Sequence, residues 1–83
     1  MKEYRTGQRL KCVKEFKVLY FPYSNSSLRE YTVQPNTEYM LVEIIKYFSN
    51  PHKTIYALMP LGERGIPLDL YPKTVDKYFE ACK

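Results

Sequence analysis

Tryptophan is absent from these 83 residues, and histidine, cysteine and glycine number only one, two and three. Each shortage narrows the chemistry. Gly7, Gly62 and Gly65 are too scattered to form a phosphate-cradling loop. His52, between Pro51 and Lys53, falls in an expected turn, and no nucleophile with an orienting acid stands in a pattern that would complete a triad. Cys12, Cys82 and His52 include no pair at the short spacing of a zinc site. Asp69, Asp76 and Glu80 read as ordinary surface acids. A non-enzymatic chain with no cofactor and no metal is therefore expected.

No apolar run approaches the length of a membrane span. The opening segment, Met1 to Gly7, lacks the apolar stretch of a secretory signal, so the expected compartment is the cytoplasm. In that setting Cys12 and Cys82 are expected to be reduced and mostly buried. Pairing them instead would close a loop of about 70 residues, worth about 4 kcal/mol in the chain-entropy view.

What is present points to one small β domain over residues 1–83. Apolar residues make up 45% of the chain, which excludes disorder. Size scaling gives a folded surface of roughly 5,000 Å², enough for one compact core and no deep catalytic cavity.

The central segment Glu38–Phe48 is rich in β-branched and aromatic residues, Ser49–Lys53 reads as a turn, and Thr54–Met59 runs back as a hairpin. Tyr39 and Leu41 share one face. Glu43 next to Ile44 and Ile45 predicts a shift of facing, with Ile44 inside and Glu43 outside.

Before the hairpin, Arg9–Phe16 alternates as a first strand, with Leu10 and Cys12 opposed to Arg9 and Lys11 and a bend near Val13. Residues 17–37 form the least regular stretch, and a protruding hairpin or loop is expected there. After it, Pro60–Gly65 turns the chain into Ile66–Tyr71, where Pro67 marks an edge strand. A short C-terminal helix capped by Thr74 would place Val75, Tyr78, Phe79 and Cys82 on one face. About five short antiparallel strands and a closing helical turn suit a mainly β, SH3-like barrel.

Charge and rings supply the functional signal. Residues 1–17 carry six basic side chains and two acidic ones, so this end holds the whole formal net charge of +4. An edge of that kind draws acidic partners, although lysines also protect an edge strand from pairing. Nine tyrosines and four phenylalanines are more rings than so small a core can hide. Tyr20, Phe21, Tyr23 and Tyr31 crowd the irregular segment and are expected to be partly exposed, as rings at binding surfaces are.

The pattern Gly7-Gln-Arg-Leu-Lys-Cys-Val-Lys-Glu-Phe16, the strand Tyr39-Met-Leu-Val-Glu-Ile44 and the terminal Val75-Asp-Lys-Tyr-Phe79 resemble the small SH3-like barrel proteins carried by phages and other mobile elements. Pro35-Asn36 departs from the Lys-Gly often found before the central strand in those proteins, and the likeness does not cover residues 18–37. The resemblance implies a protein that binds and blocks a host protein, including CRISPR nucleases and other defence enzymes. The contact surface is expected at Arg9, Lys11, Lys14, Lys17, Tyr20, Phe21, Tyr23, Arg29 and Tyr31. The alternative is direct nucleic-acid binding by the same cations and stacking rings. A third reading is a homo-oligomer pairing through an exposed edge strand.

Overall fold

The computed structural model describes residues 3–20, 28–47, 49–62 and 65–82, and for residues 50–52 the backbone alone. These residues form seven strands and one helix: β1 (Arg9–Cys12), β2 (Phe16–Tyr20), β3 (Arg29–Val33), β4 (Glu38–Tyr47), β5 (Asn50–Pro60), β6 (Leu68–Leu70), α1 (Pro72–Tyr78) and β7 (Phe79–Ala81). Every ladder is antiparallel. Five strands make one sheet in the order β6-β5-β4-β1-β7, and β2 and β3 pair only with each other. The fold is mainly β, with one short helix near the C-terminus.

Where the sequence predicts a closed barrel, the ladders stay open. Among the described residues β2 has no partner besides β3, and β6 has none besides β5. β6 begins at Leu68 rather than Ile66 because Pro67, which lacks an N–H, cannot continue the ladder upstream.

The expected first strand over residues 9–16 is likewise two. The chain breaks at Val13–Glu15, and Phe16 starts β2 in the other sheet. Three backbone bonds hold this corner: the Val13 N–H donates to the Tyr78 carbonyl, the Cys12 N–H to the Thr37 carbonyl and the Asn36 N–H to the Cys12 carbonyl. Asn36 adopts φ 70°, which completes the turn expected at Pro35-Asn36.

The central hairpin runs as its residues suggest, with one slip. Between Leu41 and Glu43 the register shifts, leaving Val42 without a partner on β5 and half exposed. That extra residue lets Leu41 and Ile44 both face the core while Glu43 faces out. β5 starts earlier than expected, at Asn50 opposite Tyr47. The residues between Asn50 and Thr54, Pro51 among them, lie at a second register shift.

Helix α1 begins at Pro72, not after Thr74. Proline needs no N–H partner in a first turn and its fixed φ suits that position; the N-cap is Tyr71, which makes no side-chain cap bond. The helix ends at Tyr78, so Phe79 and Cys82 do not ride its apolar face. Phe79 is drawn into β7 opposite Cys12, where its ring stands edge-on to Tyr39 and to Phe16 at 5.7 Å each. That edge-to-face cluster outweighs one more turn of helix.

Leu10, Cys12, Val33, Tyr39, Leu41, Leu58, Val75 and Phe79 are completely or almost completely buried. The molecule is flat, 34 × 33 × 19 Å, with 6388 Å² of surface, more than size scaling gives. Long β4 and β5 and the separate β2–β3 hairpin spread the chain around a thin core. No helix among the described residues is long and apolar enough to cross a membrane.

Candidate partner-binding surface

The expected excursion at residues 17–37 contains the β2–β3 hairpin. Its register, Phe16 opposite Val33 through Tyr20 opposite Arg29, sorts its side chains onto two faces. On the inner face Phe16 and Val33 are buried, and Val18 and Tyr31 pack against the core. Phe16 stacks on the Tyr78 ring of α1 at 4.3 Å, fastening this end of the hairpin to the sheet. On the outer face Lys17 pairs with Glu30 at 3.4 Å, and Leu19 is 65% exposed. Beside Arg29, Leu28 is half exposed.

Of the four rings expected to be partly exposed, the two that are described, Tyr20 and Tyr31, are so. Tyr31 is half buried: it meets Tyr20 edge-on at 6.4 Å, and its hydroxyl lies against Gly65. Burial, and then the neighbouring Tyr31 hydroxyl, push the Tyr39 phenol up to about 12. Tyr31 is thus a strut between hairpin and sheet rather than a projecting ring, and Tyr20 is half buried beside it. Phe21 and Tyr23 lie outside the described residues. The open rings among those described are Tyr71 on the approach to α1 and Tyr47 at the far end of β4.

The cations lie on two sheets. Arg9 and Lys11 project from the outer face of β1, where Lys11 stands opposite Glu38 of β4 and Glu80 of β7, and Arg9 pairs with Glu38 at 3.3 Å. Lys14 is exposed in the link between β1 and β2, and Lys17 belongs to the other sheet. Carboxylates therefore sit among the basic residues that the sequence places together. Exposed pairs of this kind contribute between nothing and about 1 kcal/mol, and they lower the local field.

Both thiols are free. Burial pushes the Cys12 thiol up; for Cys82, partial burial and then Glu38, whose carboxylate accepts from Sγ at 3.5 Å, act in the same direction. Neither has the lowered pKa of an activated nucleophile.

Two of the clefts among the described residues border the central hairpin and the seam beside β2. A cleft of about 410 Å³ lies over the inner face of the central hairpin, with Tyr4, Tyr56, Ile44, Thr54 and Lys46 around it. Next to it the Tyr4 hydroxyl and Asp76 Oδ1 are buried without a hydrogen-bond partner among the described residues. Burial, then the Asp76 charge, raises the Tyr4 phenol. A cleft of about 260 Å³ separates β2 from β6, with Val18, Leu19 and Tyr20 on one side and Leu68, Asp69 and Leu70 on the other.

Leu19 and Leu28 are the surface residues that sequence reasoning missed. Lys17-Val-Leu-Tyr-Phe21 is apolar at four consecutive positions, so no alternation tells which ones face out. The burial of Phe16 sets that phase. Comparison with protein-family models, with curated proteins and with solved structures returns no match for this chain.

Proposed function

We propose that this protein is a non-enzymatic protein-binding module that acts by occupying a partner's surface, as a phage-encoded, anti-CRISPR-like inhibitor of a host defence nuclease does in the host cytoplasm. The nuclease setting rests on the resemblance of Gly7–Phe16, Tyr39–Ile44 and Val75–Phe79 to small phage barrel proteins. The architecture is then an SH3-like barrel left open along one side. Support for that comes from the short antiparallel strands, the hairpin inserted between β1 and β4, and the helical turn before the last strand.

One observation carries the binding role. Leu19, the largest apolar exposure on the outer face of the hairpin, stands opposite Glu30 and shares that face with Lys17, near half-exposed Leu28. An apolar centre with a charged rim is how protein contact surfaces are built. Charges at the rim steer the approach, and apolar anchors slow dissociation.

The pairing of Arg9 with Glu38 and of Lys17 with Glu30 favours protein over nucleic acid as the partner. A chain that neutralised many phosphates would lose affinity steeply between about 50 and 200 mM salt. The test compares partners retained from bacterial lysate by the wild type and by a Leu19→Asp/Arg29→Ala double variant of unchanged melting temperature. Loss of the retained protein is expected. Full retention, or a retained species that is nucleic acid, overturns the reading.

A further inference from the structure

We propose that the seam between β2 and β6 takes an extended segment of the partner protein as an added strand, so that binding completes the barrel. The inference rests on the protein-binding reading above and names what the partner must present. β2 pairs on one side with β3, and β6 on one side with β5; among the described residues no ladder joins the two remaining edges. Both edges nevertheless border the same cleft, with Val18, Leu19 and Tyr20 facing Leu68, Asp69 and Leu70 across about 260 Å³.

A strand edge carries unpaired N–H and C=O groups at a two-residue repeat, and another extended backbone is the ligand that matches them. With an edge on each side, one inserted strand would be paired along both of its own edges. A helix or a small molecule could not do this.

Side chains set the sequence such a segment needs. Inward positions along the seam are apolar, since Leu68 and Leu70 are buried and Val18 packs against the core. Outward positions pass between Leu19, which is 65% exposed, and the exposed carboxylate of Asp69. The preferred occupant is therefore apolar at alternate residues, with small or basic residues between them facing Asp69. Pro67, without a donor, limits the ladder at that end of β6. The free edge is a liability in isolation, and a partner strand removes it.

The probe is a display library of octapeptides with valine, isoleucine or leucine fixed at alternate positions, selected against the full chain. The selected peptides are remade with N-methyl groups on alternate residues, in each of the two phases. Strand insertion predicts that methylation weakens binding at least about tenfold, because each methyl removes a backbone donor. It also predicts slowed amide exchange at residues 18–20 and 68–70. Binders indifferent to methylation in both phases, protection elsewhere, or a library without binders overturns the seam. Slowing of the same amides on raising the protein concentration alone assigns the seam to a second copy and overturns a foreign strand. Should the lysate partner bind without slowing these amides or being displaced by the peptides, the seam fails while the binding role stands.

Discussion

The five-stranded sheet and the β2–β3 hairpin are made of similar residues and are held in different ways. Within the sheet, Leu10, Cys12, Tyr39, Leu41, Leu58 and Phe79 are sealed on every side, and neighbouring strands share each buried row. The hairpin contributes only Phe16 and Val33 to the buried core among the described residues, and its ladder there joins only β2 and β3. Burying apolar area stabilises by roughly 25 cal/mol per Å², so most of the folding free energy resides in the sheet. Such a division frees the hairpin to expose Leu19 and Leu28 without endangering the fold. Rigidity comes from one region, and under the proposed binding role recognition would come from the other.

The comparison is broken most forcefully at its centre. Phe79→Ala should cost about 3–5 kcal/mol, since the ring touches both Tyr39 and Phe16 and its loss leaves a cavity. Urea titration measures it, and a cost under about 1 kcal/mol would place the centre of the core elsewhere.

Next is Gly65, where hairpin and sheet meet. It has φ 117°, and an added Cβ would lie 3.1 Å from Cβ of the Pro60 ring. Gly65→Ala is expected to cost about 2–3 kcal/mol, against about 1 kcal/mol for Gly7→Ala, which has φ 91° and open space around it. Equal melting temperatures for the two variants would mean that contact at Pro60 adds nothing to the backbone term.

Alkaline titration sharpens the contrast through Tyr39. Its phenol ionises near 10 when unfolded and at about 12 in the fold, because burial and then the Tyr31 hydroxyl disfavour the phenolate. Below pH 10 both states keep the proton and the stabilisation is complete. Above it the unfolded chain loses the proton first, so stability falls as pH rises from 10 towards 12. The loss is on the order of 2 kcal/mol. Tyr39→Phe should flatten that part of the stability curve, and an unaltered slope would remove Tyr39 from the account. Burial raises the Tyr4 and Tyr56 phenols in the same direction, so some alkaline loss persists in the variant.

The smallest stability effect belongs to the surface. Leu19→Ser should shift stability by no more than about 0.5 kcal/mol, because the side chain is already 65% exposed. It should nevertheless weaken partner binding at least about tenfold. A destabilisation above about 1.5 kcal/mol would show that Leu19 helps hold the hairpin, and the two regions would no longer divide the work.

Several elements could be read directly from the chain. The turn at Pro35-Asn36, the outward shift of Glu43 beside Ile44, and the buried rings Tyr39 and Phe79 follow from local pattern, because alternation and turn chemistry act over a few residues. The candidate surface was less legible. Tyr31 is partly exposed as its place in the irregular segment suggests, but nothing local announces its contact with Tyr39, eight residues further along. Glu38, 29 residues from Arg9, brings a negative charge to the basic end.

From the amino-acid order alone come a mainly β fold, the central hairpin, the positions of most core rings and a positive bias at the N-terminal end. Those properties depend on near neighbours and on total composition. Long-range pairing decided the rest: β7 rather than a longer helix, the passage of Phe16 into the second sheet, the outward phase of Leu19 and the open seam beside β6. Each of these requires two distant segments to compete for one space, and the outcome depends on which pairing buries more surface, a quantity that no local window of residues contains.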